Sequence, residues 1–162
     1  MTNNSKLIFI SIEQQEMSCF ENDKLVFTNQ ISTATNGVGE KINSMCTPRG
    51  WHKIHSIIGL ENQINSVFVS REWTGELYSE ELANQFSSRD WILTRILRLD
   101  GLEPDRNKGG DVDSLSRYIY IHGTPDSTEL GKPGSHGCIR MRNNEIIKLA
   151  YWANTNTLVY IK

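Results

Sequence analysis

The sequence predicts a mainly β protein, β-sandwich-like, with one or two short helices, folded as a single domain over residues 1–162. Three observations carry this. Short runs rich in β-branched and aromatic residues recur along the chain, among them LIFISI, LVFTNQISTA, GWHKIHSIIG and SRYIYIHG. Gly, Asn, Asp and Ser clusters separate these runs. Only residues 79–88 and 143–153 show the apolar spacing of a helix strongly enough to predict one. A chain of 162 residues also buries roughly 70% of its unfolded surface, so it folds without a disulfide or metal staple.

The elements follow in order. Residues 7–12 and 16–20 are expected strands, and a turn at Glu21-Asn22-Asp23-Lys24 leads into an extended segment over 25–34. Residues 35–50, rich in Gly, Asn and Thr, read as a loop. GWHKIHSIIG is a strand that Gly59 ends, and NSVFVS is another. Residues 79–88 predict a short helix with Ser79 as N-cap and Leu82 and Phe86 on one face. WILTRILRL fits either period, and its β-branched content with Gly101 just beyond favours a strand. Residues 72–89 and 102–113 read as insertions. SRYIYIHG is a strand delivering His122 at its C-terminal end. Residues 143–153 predict the better helix, capped by Asn143, with Ile146, Ile147, Ala150 and Tyr151 apolar-facing, and TLVYIK closes the chain as a strand.

Composition narrows the function. With 22% charged residues, a net charge of −2 and no long Lys/Arg run, generic nucleic-acid binding is a poor fit. The apolar run LIFISI is too short for a signal-peptide core, its flank is polar rather than basic, and no small-residue cleavage pattern follows. Nothing approaches the ~20 apolar residues of a membrane span. From Met1, the expectation is a cytoplasmic protein; a leader removed from a longer precursor would make it periplasmic. Cys19, Cys46 and Cys138 are odd in number and widely spaced, which argues for free thiols in a reducing compartment. Cys19, between Ser18 and Phe20, reads as a small buried hydrophobe.

The chemistry concentrates in IHGTPDSTELGKPGSHGCIRMRN. His122 ends a strand, and a glycine-rich loop can fold back to set Cys138 against it. A free thiol has a pKa near 8.5, and a neighbouring imidazole takes its proton near neutral pH. Gly137 allows a sharp turn in which successive N–H groups converge on an oxyanion. Ser135-His136-Gly137-Cys138 therefore reads as a nucleophile turn carrying its own oxyanion hole. The plainer readings are a buried structural thiol, a strand-end histidine, or a zinc site of His122, His136, Cys138 and Cys46. The last matches no familiar ligand spacing, and His52 and His55 do not complete one. No metal or cofactor is expected.

This stretch resembles the L,D-transpeptidase (YkuD) family, whose domain carries a histidine followed further on by [ST]-H-G-C, a hydrophobic residue, and Arg or Asn. Here the match is His122, then Ser135-His136-Gly137-Cys138-Ile139-Arg140, with YIHGT and Gly131 also similar. Thr47-Pro48-Arg49-Gly50 resembles the family's TPxG element, and the likeness extends over roughly residues 6–161. It implies a β-sandwich-like fold with the cysteine loop on one face. It makes Cys138 the acyl-accepting nucleophile and His122 the base, its ring oriented by the carbonyl of Gly123. N–H groups near Gly137 and Cys138 would bind the oxyanion, His136 would shape the site, and Ser135 would orient the turn. Arg140 would order the loop or meet a substrate carboxylate, for which Arg142 and the Arg49/Lys53 region are further candidates.

The implied substrates are peptidoglycan stem tetrapeptides or muropeptides, cut so that D-alanine leaves and the stem becomes a thioester. Carbapenem-type inhibitors are expected to acylate the same thiol. Water as acceptor makes an L,D-carboxypeptidase of murein recycling, the first expectation because no export signal is seen. A second stem as acceptor makes an L,D-transpeptidase forming 3→3 peptidoglycan cross-links. A non-catalytic peptidoglycan-binding module is the alternative outside enzymology; it has no need of the nucleophile or base, and both are present. A papain-like peptidase is disfavoured, since that type places the cysteine before the histidine.

Overall fold

The computed structural model describes residues 4–162; the first three residues of the expected 1–162 domain lie outside them. Alternation builds the first strands. β1 (Lys6–Ser11) buries Ile8 and Ile10, and β2 (Glu16–Glu21) buries Met17 and Cys19 beside them. Asn22 and Asp23 have φ of 50° and 64°, the two-residue hairpin geometry, and lead into β3 (Lys24–Gln30). β4 (Gly50–Ile58) ends at Gly59, whose φ of 92° suits glycine. Next come β5 (Ser66–Val69), β6 (Glu72–Leu77), helix α1 (Glu80–Gln85) and the long β7 (Ile92–Gly101). β8 (Tyr120–Thr124), β9 (Ile139–Arg142), helix α2 (Asn143–Trp152) and β10 (Leu158–Ile161) complete the fold.

The strands form one curled sheet in the order β3-β2-β1-β10-β4-β7-β5-β6, with β8 also on β7 and β9 beyond β8. The closing strand β10 is inserted between β1, to which it is parallel, and β4, to which it is antiparallel. α2 packs on β7, β8 and β9. One core joins Ile8 and Ile10 to Leu97, Leu99, Ile121, Ile139, Met141, Ile146 and Leu149. The mainly β expectation with two helices holds, and WILTRILRL is a strand. No helix among the described residues is long and apolar enough to cross a membrane.

Several local expectations need correction. β6 lies in the segment that reads as an insertion: EWTGEL alternates Trp73, Gly75 and Leu77 with Glu72, Thr74 and Glu76, but the run is short, both large apolar side chains stay exposed, and the strand is an edge held by backbone pairing to β5. β9 carries no strand signal in the sequence, since four residues are too few to show a period. The segment expected to be extended to residue 34 leaves β2 after Gln30; Ser32 and Ala34 then bridge to Arg140 and Ser135. SRYIYIHG becomes a strand only at Tyr120, so His122 lies mid-strand rather than at its end. Ser79 caps α1 as expected, accepting from the N–H of Leu82, but Phe86 is exposed and α1 buries nothing. Asn143 is not the cap of α2. It is the first helical residue, buried, and its side chain bonds Thr94, the carbonyl of Thr124 and Asn65. Tyr151 is 72% exposed; Leu149 takes its expected place on the buried face.

Candidate active site

β8 and β9 run parallel, with Ile121 opposite Ile139 and His122 opposite Arg140. Alternation sends Ile121, Ile139 and Met141 into the core and turns Tyr120, His122, Cys138 and Arg140 to the other side. These four line a cavity of about 380 Å³ together with Arg71, Asp90, Arg117, Tyr118, Ser135 and His136. The pairing register thus brings His122, Ser135, His136, Cys138 and Arg140 to one place.

His122 is buried, and its Nδ1 lies 2.6 Å from the carbonyl oxygen of Gly123. A carbonyl only accepts, so Nδ1 carries the proton and Nε2 keeps a free lone pair. Burial holds the imidazole below its usual 6.5, partly offset by that hydrogen bond. The ring is a neutral base with a fixed tautomer.

The Cys138 thiol donates to the carbonyl of Tyr118 and accepts the N–H of Tyr120, each at 3.4 Å. Burial pushes the thiol up to about 12, against the opposing pull of the Tyr120 N–H. Both shifts favour the uncharged forms, the thiol and the neutral imidazole.

The turn before the cysteine is braced from both sides. Ser135 Oγ donates to the Cys138 carbonyl at 2.6 Å and accepts from the N–H of Gly137 at 3.2 Å. Gly137 has φ 136°, and a Cβ there would come within 3.2 Å of the Cys46 carbonyl oxygen and 3.3 Å of Ile119. From outside, Thr47 Oγ1 donates to the Gly137 carbonyl at 2.9 Å and accepts from the N–H of Ala34 at 3.0 Å. The TPxG threonine is a buried rivet between two loops.

Arg140 orders the loop: it donates to the carbonyl of Gly134 and to Asp90, both at 2.8 Å. Asp90 also lies 3.7 Å from Nδ1 of His136, whose side chain is largely exposed between this cavity and a smaller one of about 220 Å³. The other proposed cations are engaged elsewhere. Arg49 pairs with Glu40, and Arg142 donates to the carbonyls of Asp126 and Thr128; neither they nor Lys53 line the cavity. Cys46 turns its thiol to the carbonyls of Asn36 and Ser44. Among the described residues no three His, Cys, Asp or Glu side chains are grouped to hold a metal ion.

Sequence reasoning missed Arg71, Asp90, Arg117 and Tyr118. Arg117 donates to the carbonyls of Gly39, Glu40 and Cys46 and to Ser44 Oγ, clamping the 39–46 loop beside Gly137. Arg71 and Asp90 come from separate segments and belong to common surface types, so nothing in their spacing singles them out; Arg117 and Tyr118 stand in SRYIYIHG, a segment flagged only for its histidine.

The chain matches the YkuD family, the L,D-transpeptidase catalytic domain, over residues 5–161. YkuD of Bacillus subtilis (strain 168), a candidate L,D-transpeptidase, is 44% identical over 61 residues, 35% of this chain and 37% of that one. L,D-transpeptidase 3 of Mycobacterium tuberculosis superposes with a TM-score of 0.61 at 14% identity, covering 98% of this chain and 61% of that one. LD transpeptidase LdtMt1, solved in complex with imipenem, gives 0.58 at 14% identity, covering 98% and 59%. At these identities the solved structures speak for a shared fold. The matches span about a third of the curated relatives and about 60% of those solved chains.

Proposed function

The chain belongs to the L,D-transpeptidase catalytic domain family, and on that premise we propose that it is a cysteine acyl-transfer enzyme acting on peptidoglycan stem peptides, with water as its main acceptor. The observation that carries the reading is the hydrogen bond from His122 Nδ1 to the Gly123 carbonyl, which leaves Nε2 as a neutral base in the cavity that holds the Cys138 thiol.

Sγ of Cys138 attacks the peptide carbonyl after the diamino residue as its proton passes to His122 Nε2. The carbonyl electrons move onto oxygen, with the Cys138 N–H as the candidate donor, since the Gly137 N–H is held by Ser135. Collapse breaks the C–N bond, His122 returns the proton to the departing D-alanine amine, and the stem is left as a thioester. Water, deprotonated by His122, then releases the tripeptide and restores the thiol.

Two features bear on the acceptor. Three arginines line the cavity against one aspartate already paired to Arg140, so an incoming ammonium meets net positive charge and water does not. The adjoining cavity of about 220 Å³ beside Ile42, Met45, Tyr118 and His136 is a candidate approach for the side-chain amine of an acceptor and favours the transpeptidase reading.

Purified protein with disaccharide-tetrapeptide should yield tripeptide and free D-alanine with little dimer, read by mass; predominant 3→3 dimers would reverse the choice of acceptor. Cys138→Ala should abolish turnover and prevent a covalent imipenem adduct. His122→Gln should slow acylation by about 10²–10⁴-fold. Turnover in Cys138→Ala would defeat the reading, and tight peptide binding with no turnover in the wild type would make the protein a binding module.

A further inference from the structure

The β5–β6 hairpin turns through Ser70 and Arg71, whose φ values of 49° and 67° suit the twist of a two-residue hairpin turn. That turn projects onto the cavity, and both residues line it. Arg71 is held from two directions. Its Nη1 donates to the Tyr120 hydroxyl at 3.1 Å, and its guanidinium stacks on the Tyr118 ring, 4.4 Å from the centroid. A guanidinium has five N–H donors in a planar fork, and stacking covers its face while leaving its edges open.

The other cavity cations are engaged. Arg117 is taken up by four protein oxygens, and Arg140 by Asp90 and the Gly134 carbonyl. Arg71 forms no ion pair with a carboxylate among the described residues, Glu72 beside it in the chain included. Its location is specific as well. Tyr118, on which it stacks, gives its carbonyl to the Cys138 thiol, and Tyr120, to which it bonds, gives its N–H to the same sulfur. An oriented cation with open donors is therefore mounted on the two residues that hold the nucleophile.

We propose that Arg71, stacked on Tyr118 and tied to Tyr120, is a carboxylate-binding subsite that grips a free carboxylate of the substrate next to the attacked carbonyl. The inference rests on the acyl-transfer reading above and adds the group that selects acidic peptides. A stem peptide offers two sources of this chemistry: the terminal carboxylate of the leaving residue, and the carboxylates on the acyl side. Both suit bidentate recognition by a fixed guanidinium.

The test compares wild type, Arg71→Gln and Arg71→Lys on three tetrapeptides: fully acidic, terminally amidated, and amidated at the acyl-side carboxylates. R71Q should lose about 10–10²-fold in kcat/KM on the acidic peptide, mainly through KM, as for a lost charged hydrogen bond. On whichever amidated peptide lacks the gripped group, R71Q and wild type should be nearly equal, and this identifies the source. R71K should recover part of the loss, since it keeps the charge without the fork. An equal loss on all three peptides, or no loss, overturns the proposal. Absent turnover in wild type on every peptide would instead defeat the functional reading. Calorimetric affinity on Cys138→Ala, with and without R71Q, reads the subsite in either case.

Discussion

At the scale of the residue, the proposed nucleophile rests in its protonated form. Desolvation raises the Cys138 thiol to about 12 and lowers His122 below its usual value, both of which favour the uncharged forms near neutral pH. The thiol hydrogen is directed to the Tyr118 carbonyl until substrate arrives. Iodoacetamide should therefore modify Cys138 at pH 7 roughly 10³-fold more slowly than a free thiol of pKa near 8.5, because the thiolate fraction falls by the difference. The rate should go on rising past pH 9, measured by peptide mass mapping against Cys46. A plateau already at pH 6 would instead reveal a thiolate–imidazolium pair. In the proposed mechanism catalysis needs neutral His122, whose protonation is displaced downward, so the acid limb of kcat/KM should lie below 6.5.

At the scale of the element, the site is a product of register. The parallel pairing of β8 with β9 puts Cys138 and Arg140 on the side that His122 faces; a shift of one residue would bury the arginine and expose Ile139. The turn before Cys138 is then fixed by segments distant in the chain. Thr47 is the clearest case, since its one hydroxyl serves both Ala34 and Gly137. Thr47→Val keeps the shape and leaves two buried backbone groups unpaired. It should cost about 2–4 kcal/mol by urea unfolding and lower kcat, because the Gly137 carbonyl loses its anchor. A variant with wild-type stability and activity would show that water replaces the hydroxyl.

At the scale of the whole molecule, buried histidines tie stability to pH. His52 on β4 sits between Ser114 Oγ at 2.8 Å and the Gly50 carbonyl at 3.1 Å, joining the sheet to the loop after β7. Burial lowers it to about 4. Above 6.5 it is neutral in both states, and stability is full. Between 6.5 and 4 the unfolded chain binds a proton that the folded chain refuses, so stability falls as pH falls, by about 3 kcal/mol at completion. His122, also lowered, adds in the same direction. The urea midpoint should therefore drop from pH 7 to pH 4, and more gently in His52→Gln; equal slopes would remove His52 as the cause.

The sequence by itself determined the β-rich class, most strands, the better helix, and the segment that lines the candidate site. These are local matters: alternation, β-branched content, and a cysteine turn whose Ser, His and Gly lie within four consecutive residues. It also placed Cys19 correctly, as a thiol buried between core isoleucines. Tertiary structure alone decided the rest. The edge strand β6 leaves its Trp73 and Leu77 exposed and is held by pairing to β5 alone, and β9 is too short to have a period. Asn143 looked like a cap because its type favours caps, yet burial against Thr94 and Thr124 gave it better partners inside the helix. Arg71, Asp90 and Arg117 share a cavity with Cys138 only because a hairpin, the segment before β7 and a distant turn converge there. Proximity of that kind is set by how the sheet curls, which no spacing along the chain records.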